Sequence, residues 1–287
     1  MTRDARAVLR RTGLAPKKGF GQNFLVSQAT VEAIAAACVP DREIGRARVL
    51  ELGAGTGALT RALAARARSV VAVERDRDLI PVLAEELADL PENRVRIVEA
   101  DAQAVDVRAL LGGADPDAPR VLCGNLPYQI TGSLLERAVV QADGMERVVF
   151  MVQLEVADRL AANPGSKAYG ALTVFVRAAF RATKLFTVSP GSFYPPPKVT
   201  SAVVRLEPER PRVAEETDTF RALVKGAFGT RRKTLRNAWR TLAPMDVLTA
   251  AAESASISLD ARGETLSVAE FAAMANELTA RTARPGP

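Results

Sequence analysis

The 287-residue sequence predicts an α/β protein, a parallel sheet with helices on both faces followed by a small all-α C-terminal domain. Three observations carry this. Short β-branched runs alternate with Ala/Leu/Arg segments of helical period between residues 47 and 153, the first run ends at a glycine turn, and from Thr217 onward the apolar spacing is helical throughout.

Taken in order, Arg48 to Leu52 is a strand that stops at glycine, and Ala58 to Arg68 is an amphipathic helix spaced by Leu59, Leu63 and Arg66. Ser69 to Val73 is a second strand ended by Glu74, Arg77 to Ala88 a helix, and Val95 to Val98 a strand ended by Asp101. Arg120 to Cys123 is a strand running into Asn125, Thr131 to Val140 a helix, and Val148 to Val152 another strand. Such alternation implies right-handed crossovers between parallel strands. Lys184 to Val188 and Val199 to Leu206 read as antiparallel additions at the sheet edge, separated by the proline-rich loop Ser189 to Pro197. Glu207 to Val213 reads as a linker, which divides the chain into an α/β domain over residues 1–208 and a helical domain over 209–287, with Ser267 as an N-cap.

Composition then removes whole classes of chemistry. With 48% hydrophobic and 25% charged residues the chain is an ordinary folded protein, neither disordered nor a disulfide scaffold. It contains no histidine, so Ser-His-Asp and Cys-His hydrolysis and most zinc sites are excluded, and no metal is expected. Cys38 and Cys123 each lie in an apolar run and read as buried thiols of a reducing compartment. No secretory h-region and no membrane-spanning stretch is present, so a cytoplasmic protein is expected.

The net charge of +6 is unevenly placed. Residues 1–20 hold six basic and one acidic side chain and residues 177–240 hold fourteen basic and five acidic, whereas residues 74–106 hold ten acidic and four basic. Two basic ends around an acidic middle point to a polyanionic partner outside a separate small-ligand pocket.

That pocket is written in the strand ends. Glu51-Leu52-Gly53-Ala54-Gly55-Thr56-Gly57 lies at a strand-to-helix turn, where glycine lets the backbone approach a ligand. Glu74 follows about 20 residues on, where a carboxylate accepts both ribose hydroxyls, and Asp101 ends the third strand in the same register, placed to accept from an adenine amino group. Glycine, Glu and Asp at three consecutive strand ends make a nucleoside pocket, with NAD and S-adenosylmethionine both still open.

Asn125-Leu126-Pro127-Tyr128 separates them. The adenine amine is a poor nucleophile because its lone pair is conjugated into the ring. The side-chain oxygen of Asn125 and the carbonyl of Leu126, held in pre-proline geometry, can each accept one N6 hydrogen and draw the nitrogen toward sp³. Tyr128 supplies a stacking face for an extruded base.

Gly53-Ala54-Gly55-Thr56-Gly57 followed by Asn125-Leu126-Pro127-Tyr128 resembles the class I S-adenosylmethionine-dependent adenine-N6 methyltransferases. Gly21-Gln22-Asn23-Phe24-Leu25, Phe193-Tyr194-Pro195-Pro196-Pro197-Lys198-Val199-Thr200-Ser201 and Arg231-Arg232-Lys233-Thr234-Leu235-Arg236-Asn237 narrow the resemblance to the KsgA (RsmA) family, which dimethylates two adjacent adenosines near the 3′ end of 16S ribosomal RNA in the small subunit. The resemblance implies a Rossmann-like class I methyltransferase sheet, S-adenosylmethionine as cofactor, a role in ribosome biogenesis, and action as a monomer. It implies cofactor contacts from Asn23, Leu25, Gly53, Gly55, Glu74, Asp101 and Asn125, with the target adenine between Tyr128 and Phe193. After Tyr128 the family usually has Asn-Ile-Ser-Thr-Pro, and this chain departs from it with Gln129-Ile130-Thr131-Gly132-Ser133.

Lys17, Lys18, Lys198, Arg231, Arg232, Lys233 and Arg236 are the expected RNA backbone contacts. The nearest rival is the Erm branch, which methylates an adenosine of 23S rRNA and shares the Asn-x-Pro-Tyr site. The Phe193 to Ser201 segment and the basic helical tail favour KsgA. A DNA adenine methyltransferase, a ribosome-assembly factor whose methylation is incidental, and an NAD oxidoreductase are the remaining alternatives.

Overall fold

The computed structural model describes residues 4–112, 117–230 and 232–283. The chain divides into two compact units, Met1–Ala157 with Thr183–Pro208, and Asp158–Ala182 with Glu209–Pro287.

Among the described residues the chain forms nine strands: β1 (Phe24–Leu25), β2 (Arg48–Leu52), β3 (Ser69–Glu74), β4 (Val95–Glu99), β5 (Arg120–Asn125), β6 (Arg147–Gln153), β7 (Phe180–Val188), β8 (Phe193–Tyr194) and β9 (Ser201–Pro208). Seven form one sheet in the order β4-β3-β2-β5-β6-β9-β7, and β1 pairs with β8 in a separate two-stranded ladder. β2 runs parallel to β3 and β5, β3 to β4, and β5 to β6, while β9 is antiparallel to β6. Continuous apolar runs such as Val148 to Val152 are buried throughout, as strands covered on both faces must be. β4, at the sheet edge, is only partly covered.

The order of strands reverses between β2 and β5. In open α/β sheets the crevice at the carboxyl ends of two such strands is where ligands bind. Here those ends are Leu52, leading into Gly53, and Asn125. Gly124 makes this juncture possible: a Cβ on it would stand 2.5 Å from the backbone oxygen of Leu52, a contact with no flexible end to yield.

Elements read from the sequence reappear with small shifts. The first helix of the alternation is Ala58–Arg66, the second Leu79–Leu87, and the third Thr131–Val140. The final strands differ more. β7 occupies the sheet edge, but β9 lies inside it between β6 and β7, and its run to Pro208 takes up the start of the supposed linker. The stretch read as a loop from Ser189 to Pro197 contains β8, which pairs Tyr194 with Phe24 and Phe193 with Leu25. Two-residue strands carry no periodicity, so only tertiary structure reveals them. The helices Ala5–Thr12 and Gln28–Cys38 also escaped the sequence reading.

The second unit corrects the domain boundary. Residues 158–182 pack with the C-terminal helices because Tyr169, Val174 and Ala178 enter one apolar cluster with Phe220, Trp239 and Phe271. Its helices include Ala171–Ala179, Asp218–Gly229, Met245–Ser254 and Val268–Thr282. The buried polar tips are satisfied, since Trp239 donates to the Leu223 carbonyl at 2.8 Å and the Tyr169 hydroxyl to that of Leu266 at 2.9 Å. Ser267 caps the last helix in a reciprocal box with Glu270, as its position foretold.

Candidate active site

One cavity opens at the switch point, and residues from five separated stretches of chain line it. The turn after β2 supplies Gly53 and Gly55, at φ +79° and +58°, a region in which only glycine is unstrained. A side chain at Gly55 would also meet the ring of Phe24 at 3.2 Å. The turn is held by Glu74 at the end of β3. Its Oε2 accepts from the Gly55 amide at 2.8 Å, and its Oε1 accepts from the amides of Arg75 and Asp76, each at 2.8 Å. The carboxylate therefore fixes two strand ends at once while remaining part of the cavity wall.

Asp101 follows β4 and also lines the cavity. Its Oδ1 accepts from the Gln103 amide at 2.9 Å and its Oδ2 pairs with Arg75 at 3.0 Å. Arg75 in turn lies over the Phe20 ring, 4.7 Å from its centroid, so the cavity has an aromatic-cationic edge that sequence reading missed.

Beneath the glycine turn lies Glu51, fully buried and accepting a hydrogen bond from the Thr60 hydroxyl at 2.6 Å. Burial pushes its pKa up to about 8, against the opposing pull of the Thr60 bond, so at neutral pH it is a protonated acid.

The opposite wall is the turn after β5. Asn125 donates from Nδ2 to the backbone oxygen of Asn23 at 2.8 Å, which commits the nitrogen and fixes the orientation of the acceptor oxygen. Asn23 itself donates to the Gly21 carbonyl at 3.1 Å. Leu126 and Pro127 line the cavity, and the Pro127 carbonyl accepts from the Ile130 amide at 3.1 Å, closing a tight turn. Tyr128 is half-buried on the cavity wall, its hydroxyl 2.7 Å from that of Ser201, and burial pushes its pKa up.

Asn23, Leu25, Gly53, Gly55, Glu74, Asp101, Asn125, Leu126, Pro127 and Tyr128 are thus brought together. Phe193 is not. Its ring is 1% exposed and packs with Leu25, Val31 and Val203, because the β1–β8 pairing turns it into the core.

The basic residues separate into two groups. Lys17 is committed within the chain, its ammonium 2.5 Å from Asp76 and 2.7 Å from Asp78, and these bonds raise its pKa. Gln22 adds a bond to Asp76 at 2.7 Å, and Arg11 pairs with Glu85 and, at 2.6 Å, with Glu86. Four of the ten acidic residues of the middle segment are thereby engaged by the N-terminal segment. Lys18, Lys198, Arg232, Lys233 and Arg236 are exposed, the last with Asp260 at 3.4 Å. Arg231 lies outside the described residues. Among the described residues no cluster of metal-ligating side chains occurs and no helix is long and apolar enough to cross a membrane.

Comparison with known proteins agrees with this geometry. Residues 13–280 match the family model for ribosomal RNA adenine dimethylase. The chain is 44% identical over 283 residues to a ribosomal RNA small subunit methyltransferase A from Anaeromyxobacter sp. (strain K), covering 95% of this chain and 97% of that protein. It is 43% identical over 279 residues to the protein of the same name from Geobacter metallireducens, covering 95% and 98%. Among solved structures it resembles a dimethyladenosine transferase from Plasmodium falciparum, with TM-score 0.76 and 24% identity over 90% of this chain and 98% of that one. It also resembles the 23S rRNA methyltransferase ErmE, with TM-score 0.67 and 26% identity over 89% and 99%. A class I methyltransferase sheet, a glycine turn and an Asn-Leu-Pro-Tyr turn meeting in one cavity, and a family match across nearly the whole chain lead to one conclusion: this protein belongs to the ribosomal RNA adenine dimethylase family.

Proposed function

We propose that the protein transfers methyl groups from S-adenosylmethionine to N6 of two adjacent adenosines near the 3′ end of 16S rRNA in the small ribosomal subunit, acting as a monomer. Family membership makes it an rRNA adenine methyltransferase and implies that cofactor. The observation that carries the rest is the pinning of Asn125 by the Asn23 carbonyl beside Gly53, which sets an acceptor oxygen at the juncture of β2 and β5.

The residues present fit the cofactor. The cradle at Gly55 is one that a Cβ would fill, Glu74 and Asp101 stand at consecutive strand ends for ribose and base, and Leu25, Ala54 and Ile130 offer apolar surface. Asn23, Leu25, Gly53, Gly55, Glu74, Asp101 and Asn125 would hold it. When bound it supplies an activated methyl group on a sulfonium.

The chain's own part is positioning. Asn125 Oδ1 and the Leu126 carbonyl accept the two N6 hydrogens and localise the nitrogen lone pair, while Tyr128 covers one face of the flipped base. The methylated nitrogen carries positive charge and loses its proton to water or a backbone carbonyl, so no histidine is required. After the first transfer one hydrogen remains for one of the two acceptors, which permits the second. Residues 1–208 without 158–182 carry this chemistry, and the helical unit, through Arg231, Arg232, Lys233 and Arg236, binds rRNA phosphates together with Lys18 and Lys198. Target selection favours the small subunit, as the names of the 44% and 43% identical relatives indicate.

Incubation with labelled S-adenosylmethionine and unmethylated small subunits, large subunits or naked DNA, followed by nucleoside analysis, tests the reading. Dimethyladenosine in small subunits alone is expected. Label in large subunits would instead favour the activity named for ErmE.

A further inference from the structure

The alternation of β8 buries Phe193 and turns its neighbour outward. Tyr194 is 38% exposed, and the Arg6 guanidinium lies 5.8 Å from its ring centroid. Exposed Pro195, Pro196 and Lys198 follow it in the chain. Among the described residues neither Arg6 nor Lys198 is held in an ion pair. The segment is fastened to the cavity wall at both ends. Tyr194 is in register with Phe24, which lines the cavity, and Ser201 touches the hydroxyl of Tyr128. The segment joined to the cavity wall therefore carries an exposed aromatic ring with the Arg6 cation beside it and the exposed Lys198 four residues on in the chain, on a stretch whose prolines donate no backbone hydrogen bond.

An aromatic face with flanking positive charge fits one kind of ligand, an unpaired nucleotide, with the base on the ring and the phosphates at the cations. Resting on the rRNA substrate argued above, we propose that Tyr194, with Arg6 and Lys198, is a second base-stacking site that holds an unpaired nucleotide of the RNA outside the catalytic cavity. The RNA is then gripped at two bases, one at Tyr128 for chemistry and one at Tyr194 for register.

The test compares Tyr194→Ala, Tyr194→Phe and Tyr194→Trp with the wild-type full chain on unmethylated small subunits. Stacking on an aromatic side chain is lost in Tyr194→Ala, so its KM for subunits should rise about tenfold with kcat and cofactor affinity retained. Tyr194→Phe should restore wild-type KM, because the ring and not the hydroxyl does the binding. The salt dependence of RNA affinity should keep its slope in Tyr194→Ala and become shallower in Arg6→Ala. The only native tryptophan, Trp239, is buried, so Tyr194→Trp adds a reporter whose emission should fall when a single-stranded oligoribonucleotide is added. An unchanged KM in Tyr194→Ala, an equal loss in Tyr194→Phe, an unmoved emission, or a loss of cofactor affinity indicating a folding role would each overturn the proposal. Wild-type protein inactive on small subunits overturns the substrate reading and this site with it; active wild-type beside an unaffected Tyr194→Ala overturns the site alone.

Discussion

The hydroxyls of Tyr128 and Ser201 lie 2.7 Å apart, joining the turn after β5 to the first residue of β9. Ser201 is fully buried, so this bond is shielded from competing water and fixes the tilt of a ring that otherwise hinges on the exposed side of the turn. Ser201→Ala is expected to lower kcat about tenfold and leave cofactor affinity unchanged. In a double-mutant cycle with Tyr128→Phe the two losses should fail to add, since each removes the same bond; full additivity in single-turnover rates would show that the contact positions nothing.

Glu74 and Tyr128 should separate binding from transfer. Glu74→Ala strips acceptors from the amides of Gly55, Arg75 and Asp76, so cofactor affinity should fall at least tenfold by calorimetry. Tyr128→Ala should keep the affinity and lose methyl transfer. The reverse pattern would contradict the assignment of the two walls.

Glu51 makes stability depend on pH in an unusual direction. Its carboxyl titrates at about 8 in the folded chain, above the ordinary 4.5 of a glutamate, so between these values the folded state holds a proton that the unfolded state has already released. Its contribution is complete below about pH 4.5 and is lost as pH rises toward 8, by on the order of 5 kcal/mol across the window. Glu51→Gln should remove this slope and, at pH 8, melt at a higher temperature than wild type by calorimetry. Parallel pH profiles for the two proteins would refute it.

Gly124→Ala should be severe. Its Cβ would meet the Leu52 backbone oxygen at 2.5 Å, forcing β2 and β5 apart where both walls of the cavity begin. A loss of about 2–4 kcal/mol in denaturant unfolding, with cofactor binding and transfer lost together, is expected.

Salt titrations should sort the basic residues. Arg232→Ala with Lys233→Ala should make the slope of log K against log salt shallower by up to about two. Lys17→Ala should leave the slope unchanged, its charge being committed to Asp76 and Asp78.

The strands between Arg48 and Val152 were legible because each is a continuous apolar run bounded by a turn, and so was the role of Gly53, Glu74 and Asn125, which sit where those runs stop. What the chain does not declare locally is pairing across long separations. Phe193 reads as an available aromatic until β8 meets β1 and buries it, and Lys17 reads as a free cation until Asp76 and Asp78, about sixty positions away, take it up. Asp158–Ala182 joins the helical unit for the same reason: its apolar residues are ordinary in sequence, and their partners lie far downstream.

The ladder between β1 and β8 joins residues 24 and 25 to residues 193 and 194. A chain emerging from synthesis has made β2 to β5, and with them Gly53 and Asn125, long before Ser201 exists to meet Tyr128. Contacts of such sequence separation also form slowly. Tyr128 therefore gains its Ser201 partner only when segments far apart in the chain have met, and a refolding experiment should see methyl transfer return no earlier than that contact forms.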